Sequence, residues 1–109
     1  MKRIVNNPYN LAKENVDITT NKVRAIILNN LQITIVDYAN ILMLPGGKVD
    51  SNEDDKDALK RELKEELGLD ISNDKLIPFV EYNNYLCDYP TRDGKKINKL
   101  NTTKLYSQN

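Results

Sequence analysis

A chain of 109 residues carries 16 Lys and Arg against 16 Asp and Glu, no His and a single Cys, a size suited to one domain and a balance that excludes a general nucleic-acid or acidic-membrane binder. Without imidazole there is no His-based zinc site, triad or proton shuttle, and the lone Cys87 forms no internal disulfide and has no base to activate it, so the chemistry left is that of carboxylate, amine, guanidinium and phenol. No window is long and apolar enough for a membrane-spanning helix and the N-terminus lacks the apolar core of a secretory signal, which leads us to expect a soluble, cytoplasmic protein.

Residues 1–20 mix polar and small apolar residues without a sustained period, and residues 1–22 are expected to form an extended arm ahead of a domain spanning 23–109. Two β-branched runs, 23–28 and 31–37, flank Asn29-Asn30, a pair that tolerates positive φ and predicts a two-residue hairpin turn. Residues 41–44 predict a short buried strand stopped by Pro45-Gly46-Gly47. Residues 53–67 are helix formers, preceded by Ser51 and Asp54 at capping-box spacing and followed by Gly68 at a stop position. Leu59, Leu63 and Leu67 recur at i, i+4 and i+8 and make one stripe for packing on strands. Residues 76–89 read as extended, 90–94 as a turn and 96–106 as a further strand.

At about 100° per residue, Glu62, Glu65 and Glu66 fall within about a third of the helix circumference, beside the Leu stripe. Like charges at this spacing destabilise a helix by ~0.2–0.5 kcal/mol a pair. Arg61 has pairable spacing with Asp57 and Glu65, but Glu62 and Glu66 receive no such relief. Two readings stay open on periodicity alone, a solvated charged face and a cation site. With oxygen ligands only, the cation would be hard, Mg²⁺ or Mn²⁺. An EF-hand loop beginning at Asp50 fails, because its sixth position is Asp55 where Gly is needed and its twelfth is Arg61 where Glu is needed.

Gly47, five residues, Glu53, seven residues, Arg61-Glu62, Leu63, Lys64, Glu65-Glu66, Leu67, Gly68 and Leu69 follow the Nudix box position by position. The segment resembles that of the Nudix hydrolase family, and accidental agreement has a probability on the order of 10⁻⁶ over a chain of this length. Leu44-Pro45-Gly46 is similar to the usual entry to the box, so the resemblance runs over residues 23–69, with 76–106 compatible. It implies an α/β fold, the Nudix-like α/β/α sandwich around a mixed sheet, and Mg²⁺-dependent hydrolysis of a phosphoanhydride in a nucleoside diphosphate linked to another group. By position it implies Glu62, Glu65 and Glu66 as metal ligands, the Gly46 carbonyl as a backbone ligand, and Arg61 with Glu53 as a supporting pair. Gly47 stands at the mouth of the site, and Arg24, on the first hairpin strand, is a candidate for a phosphate or base edge.

Members of the family usually continue with a further strand, a second large helix and often one more acidic residue. Here no Asp or Glu follows Asp93, and the domain is expected to be truncated at its C-terminus. Three readings stay open: a fragment of a longer protein, a fold completed by a partner such as a second copy, or a weakened enzyme. The alternative function is a Nudix-like nucleotide-sensing or interaction module. Glu81 and Asp88 are the downstream carboxylates available to the site, and Tyr38, Tyr82, Tyr85 and Tyr89 are candidates for stacking on a base. One sheet face would lie open without a second helix, unless the arm with Ile4, Val5, Tyr9, Leu11, Val16 and Ile18 folds over it.

Overall fold

Alternation dominates the strand-forming half of this sequence: Val23, Ala25 and Ile27 are buried while Lys22, Arg24 and Ile26 between them are partly exposed or exposed, the period of a strand with one face on a core. The computed structural model describes residues 1–108, and Asn109, the last residue of the domain read from the sequence, lies outside them. In chain order the elements are β1 (Lys2–Asn6), β2 (Ile18–Asn29), β3 (Gln32–Ile33), β4 (Val36–Tyr38), β5 (Ile41–Met43), β6 (Gly46–Lys48), α1 (Asp55–Leu67), β7 (Leu76–Pro90) and β8 (Lys96–Gln108). Single 3₁₀ turns occupy Lys13–Asn15 and Asn73–Lys75.

The main sheet has the order β1-β7-β8-β2-β3, with β6 also paired to β2. β7 and β8 are antiparallel and close through a turn in which the Thr91 N–H donates to the Lys95 carbonyl at 2.8 Å and Gly94 takes φ 83°. β8 runs parallel to β2, and β1 runs parallel to β7. This is the mixed sheet that the resemblance implied. Long β7 and β8 stretch the molecule, giving a radius of gyration of 15.3 Å against about 13 Å for an ordinary domain of this length.

α1 covers one face of that sheet. Ala58, Leu59 and Leu63 are fully buried against Val23, Ala25 and Ile27 of β2, Leu76 of β7 and Tyr106 of β8, each large aliphatic side chain contributing about 1.5–3 kcal/mol of burial. Leu67 lies half-buried at the margin. Lys104 of β8 donates to Asp55 at 2.5 Å, tying the helix N-terminus to the sheet. The helix stops where Gly68 takes φ 69°, with Gly68 N–H on the Lys64 carbonyl and Leu69 N–H on the Leu63 carbonyl, the left-handed cap that Gly adopts without steric cost.

Four local expectations are corrected. The helix begins at Asp55 after Asp54, with no side-chain cap; Ser51 does not cap it, because residues 50–53 form a turn in which the Glu53 N–H bonds the Asp50 carbonyl. The first hairpin turns at Asn30-Leu31, both at positive φ, one residue later than the Asn pair. The run 31–37 does not continue as one strand but splits into β3 and β4, and β4 pairs with β5 in a separate two-stranded ribbon through Ala39-Asn40, also at positive φ. β5 is therefore exposed, Ile41 at 60% and Leu42 at 71%, and not buried.

Residues 1–22, expected as a lead-in, contribute β1 at the sheet edge and the first residues of β2. Of the six arm residues, Ile4, Val5, Tyr9 and Ile18 remain between 39% and 66% exposed, while Leu11 and Val16 are half-buried. Most of the arm's apolar side chains therefore stay in contact with solvent, and among the described residues no second α-helix covers the face opposite α1.

Candidate active site

Everything at the site hangs on how β6 meets β2. Gly47 pairs with Val23 and Gly46 with Arg24, while the Ala25 N–H donates to the Pro45 carbonyl at 2.9 Å. Gly46 takes φ 146°, and a Cβ there would stand 2.0 Å from the Val23 carbonyl oxygen, so only glycine lets the loop lie this close to the strand. The Gly46 N–H then donates to Glu66 Oε1 at 3.0 Å. At Gly47 a Cβ would stand 2.5 Å from the Glu62 carboxyl carbon. Two carboxylates from α1 thus close onto two glycines of β6. Gly47→Ala is expected to displace the Glu62 carboxylate and cut turnover while the fold persists, because the clash falls on the end of a flexible side chain; unchanged activity would contradict that packing.

Beside them Arg61 gathers charges. Its Nε and Nη2 donate to both oxygens of Glu53 at 2.7 and 2.8 Å, and its Nη1 donates to Glu62 Oε1 at 3.0 Å. Glu53 Oε1 also accepts from the Asp50 N–H at 3.0 Å. The bidentate guanidinium clamp first, and the Asp50 N–H second, hold the Glu53 carboxyl down to about 2 against an ordinary 4.5. This lowered value makes the clamp's contribution fully present above pH 4.5 and lost as pH falls towards 2. Denaturant titrations of Glu53→Gln are therefore expected to show a flatter stability profile across that acid range than the parent chain, and an equal slope would refute the coupling.

A cleft of about 380 Å³ opens at this junction, lined by Glu62, Glu66 and Gly46 together with Lys22, Arg24, Tyr38 and Met43. Of the residues singled out from sequence, Arg24 is there, held by its Nη1 on the Leu44 carbonyl at 2.8 Å. Glu65 is not drawn in. It stands 59% exposed at the rim, 3.5 Å from Arg61 Nη1, and among the described residues no three acidic or thiol side chains converge as a preformed cation cage. Arg61 and Glu53 flank the cleft without lining it. Glu81 points to the α1 side of the sheet, accepting from Arg3 at 2.8 Å and Asn83 at 3.0 Å, and Asp88 sits in a β-bulge at φ 53° with its N–H on Asn98. Neither lines the cleft. Tyr38 alone of the four tyrosines does so. Cys87 is half-buried, and burial first and Asp88 second push its thiol up, away from the thiolate form.

Lys22 and Met43 were missed from sequence. A signal for Lys22 exists in retrospect, because it shares strand parity with Arg24, but its place beside Glu62 and Glu66 depends on the pairing of β2 with β6 across more than twenty residues.

Comparison with known proteins bears on both the family and the fold. Residues 20–102 match the model of the NUDIX domain, and the chain belongs to that family. The 8-oxo-dGTP diphosphatase of Haemophilus influenzae is 45% identical over 56 residues, 51% of this chain and 38% of that protein. The chain therefore spans well under half the length of this curated relative. The solution structure of the E. coli ORF135 protein is similar in fold, with a TM-score of 0.58 at 23% identity over 83% of this chain and 60% of that one. The MutT protein (family Nudix hydrolase) of methicillin-resistant Staphylococcus aureus 252 is 30% identical with a TM-score of 0.46, covering 84% of this chain and 67% of its own.

Proposed function

We propose that this chain hydrolyses a phosphoanhydride bond in a nucleoside diphosphate linked to another group, with Mg²⁺ or Mn²⁺ as cofactor. The observation that carries this reading is the meeting, in one cleft, of Glu62 and Glu66 with Lys22 and Arg24. A site built for a polyanion has no use for carboxylates unless a cation stands between, and the cations on β2 serve the phosphates directly. The likeness to an 8-oxo-dGTP diphosphatase supports a nucleotide substrate.

The donors suit a hard divalent ion: two carboxylates and the Gly46 carbonyl, all oxygen, with Glu65 joining by rotation about its side chain. Bound there, the ion would neutralise phosphate charge and polarise the phosphoryl group. The remaining work falls to the chain. Lys22 and Arg24 orient the phosphates, and Arg61 and Glu53 keep the loop before α1 against the helix. A carboxylate of the cluster accepts a proton from the attacking water as its oxygen bonds to phosphorus, and the bridging oxygen leaves with the electron pair of the broken P–O bond.

Release of phosphate or nucleotide is to be measured across nucleoside triphosphates, nucleotide sugars and dinucleotides, with and without Mg²⁺. Metal-dependent turnover on any of them is the expected result. Binding without turnover would instead favour a nucleotide-sensing module, for which the splayed Glu65 is the one favourable observation. Metal should also stabilise the fold by RT ln(1 + [L]/Kd), about 2.7 kcal/mol at ~100 Kd. A melting temperature equal in chelator and in millimolar Mg²⁺ or Mn²⁺ would count against a cation at Glu62 and Glu66.

A further inference from the structure

α1 covers only part of the sheet face that carries it. Val23 and Tyr106 lie beneath the helix, and past the helix N-terminus, where Lys104 holds Asp55, the same face continues uncovered. Register sets Arg3 of β1 beside Glu81 of β7 and Glu81 beside Lys104 of β8. In the next row Val5, Asn83 and Thr102 lie side by side, and one row further Tyr85 pairs with Leu100. A cavity of about 350 Å³ stands over these rows, with Asn21 of β2 and Lys13 of the 3₁₀ turn between β1 and β2 also lining it. It shares no residue with the cleft at Glu62 and Glu66, because strand alternation turns Lys22 and Arg24 to the opposite face from Asn21 and Val23. The cavity is a recess and not a solvated surface: Thr102 and Tyr85 are each only 9% exposed.

Its polar groups are bonded to one another in a way that spends the acceptors and leaves donors over. Glu81 Oε2 accepts from Arg3 Nε at 2.8 Å and from Asn83 Nδ2 at 3.0 Å, and the Thr102 hydroxyl donates to Asn83 Oδ1 at 2.8 Å. Among the described residues the Arg3 Nη1 and Nη2 groups and the Lys13 ammonium have no hydrogen-bond partner. Three cations, Arg3, Lys13 and Lys104, stand against the single carboxylate Glu81, so the lining carries an excess of positive charge. Val5, Leu100 and the Tyr85 ring supply an apolar floor beside it. Free cationic donors above an apolar floor match a molecule with one anionic end, and the volume is that of a small metabolite. The geometry points to a second binding site on the α1 face, separate from the cleft, that takes a small organic anion. Its phosphate or carboxylate group lies against Arg3 and Lys13, and its ring or alkyl body lies on Val5, Leu100 and Tyr85.

Phenyl phosphate and benzoate, titrated separately into the 109-residue chain in chelator and followed by amide NMR, test this without turnover, so the result stands apart from the hydrolase reading. Saturable shifts are expected at Lys13, Asn83 and Thr102 with one or both probes, and the tighter of the two identifies the anionic group. Inorganic phosphate and acetate, which lack the ring, should bind the same residues more weakly than their ring-bearing counterparts. Lys13→Glu, on an exposed turn where folding is not at risk, should weaken binding about tenfold, the loss of one charge-assisted contact, and Lys13→Arg should retain it. Shifts confined to Lys22 and Arg24, no saturable shift with either probe, or an affinity indifferent to Lys13→Glu would each overturn the proposal. Equal affinity with and without the ring would overturn the apolar floor as part of the site.

Discussion

Glu66→Gln is expected to lower turnover by about 10²-fold or more, with little change in melting temperature in chelator. The reason lies in the contact with Gly46: its N–H donates to Glu66 Oε1 at 3.0 Å, and a Gln side-chain oxygen accepts the same bond. The loop keeps its position, and what is lost is one full negative charge from the cation site, the quantity on which metal-assisted phosphoryl transfer depends. The stabilisation by Mg²⁺ should shrink in parallel. Glu65→Gln extends the test, because Glu65 stands at the rim and contributes only if it rotates inward. Wild-type turnover in Glu65→Gln would remove it from the ligand set, and wild-type turnover in Glu66→Gln would defeat the cleft assignment.

Leu63→Ala should destabilise the fold by about 2–5 kcal/mol, measured by denaturant titration. Leu63 is fully buried between α1 and β2, in a core of eight buried residues among those described, so a cavity there has few neighbours able to collapse into it. Leu67→Ala is the control, half-buried at the margin of the same stripe, and it should cost distinctly less. Because Glu62 precedes Leu63 on the helix, Leu63→Ala is also expected to loosen the cleft, whereas Glu66→Gln leaves the core untouched. Equal destabilisation by the two Leu variants would contradict the packing described for α1.

The helix was legible because its information is local. Leu59, Leu63 and Leu67 repeat at the helical period, Gly68 marks the stop, and the segment from Gly47 to Leu69 carries family identity in its spacing. The β7–β8 ribbon was legible for the same reason, since its turn residues lie between its strands, whereas the first hairpin was legible only as a turn near Asn30. Boundaries slipped where a side chain had a distant claim upon it. Glu53 reads as the first helical residue until Arg61 takes its carboxylate, and the Asn29-Asn30 turn moves by one residue to suit the register of β2 with β3.

What the amino-acid order determines by itself is therefore the helix with its apolar stripe, its acidic edge and the glycine pair before it, because period, cap and spacing all act within a few residues. Tertiary structure alone decides which of those charges meet. β1 pairs with β7 across 78 residues, a contact for which no local pattern exists. Glu62 and Glu66 enter the cleft while Glu65 stays at the rim with Arg61, although the helical wheel places all three on one edge. Lys22 faces Lys48 only because β2 and β6 are hydrogen-bonded in one register. A one-residue slip would send those side chains to opposite faces, and the register is held by the burial of Val23 and Ala25 under α1 rather than by anything the lysines prefer.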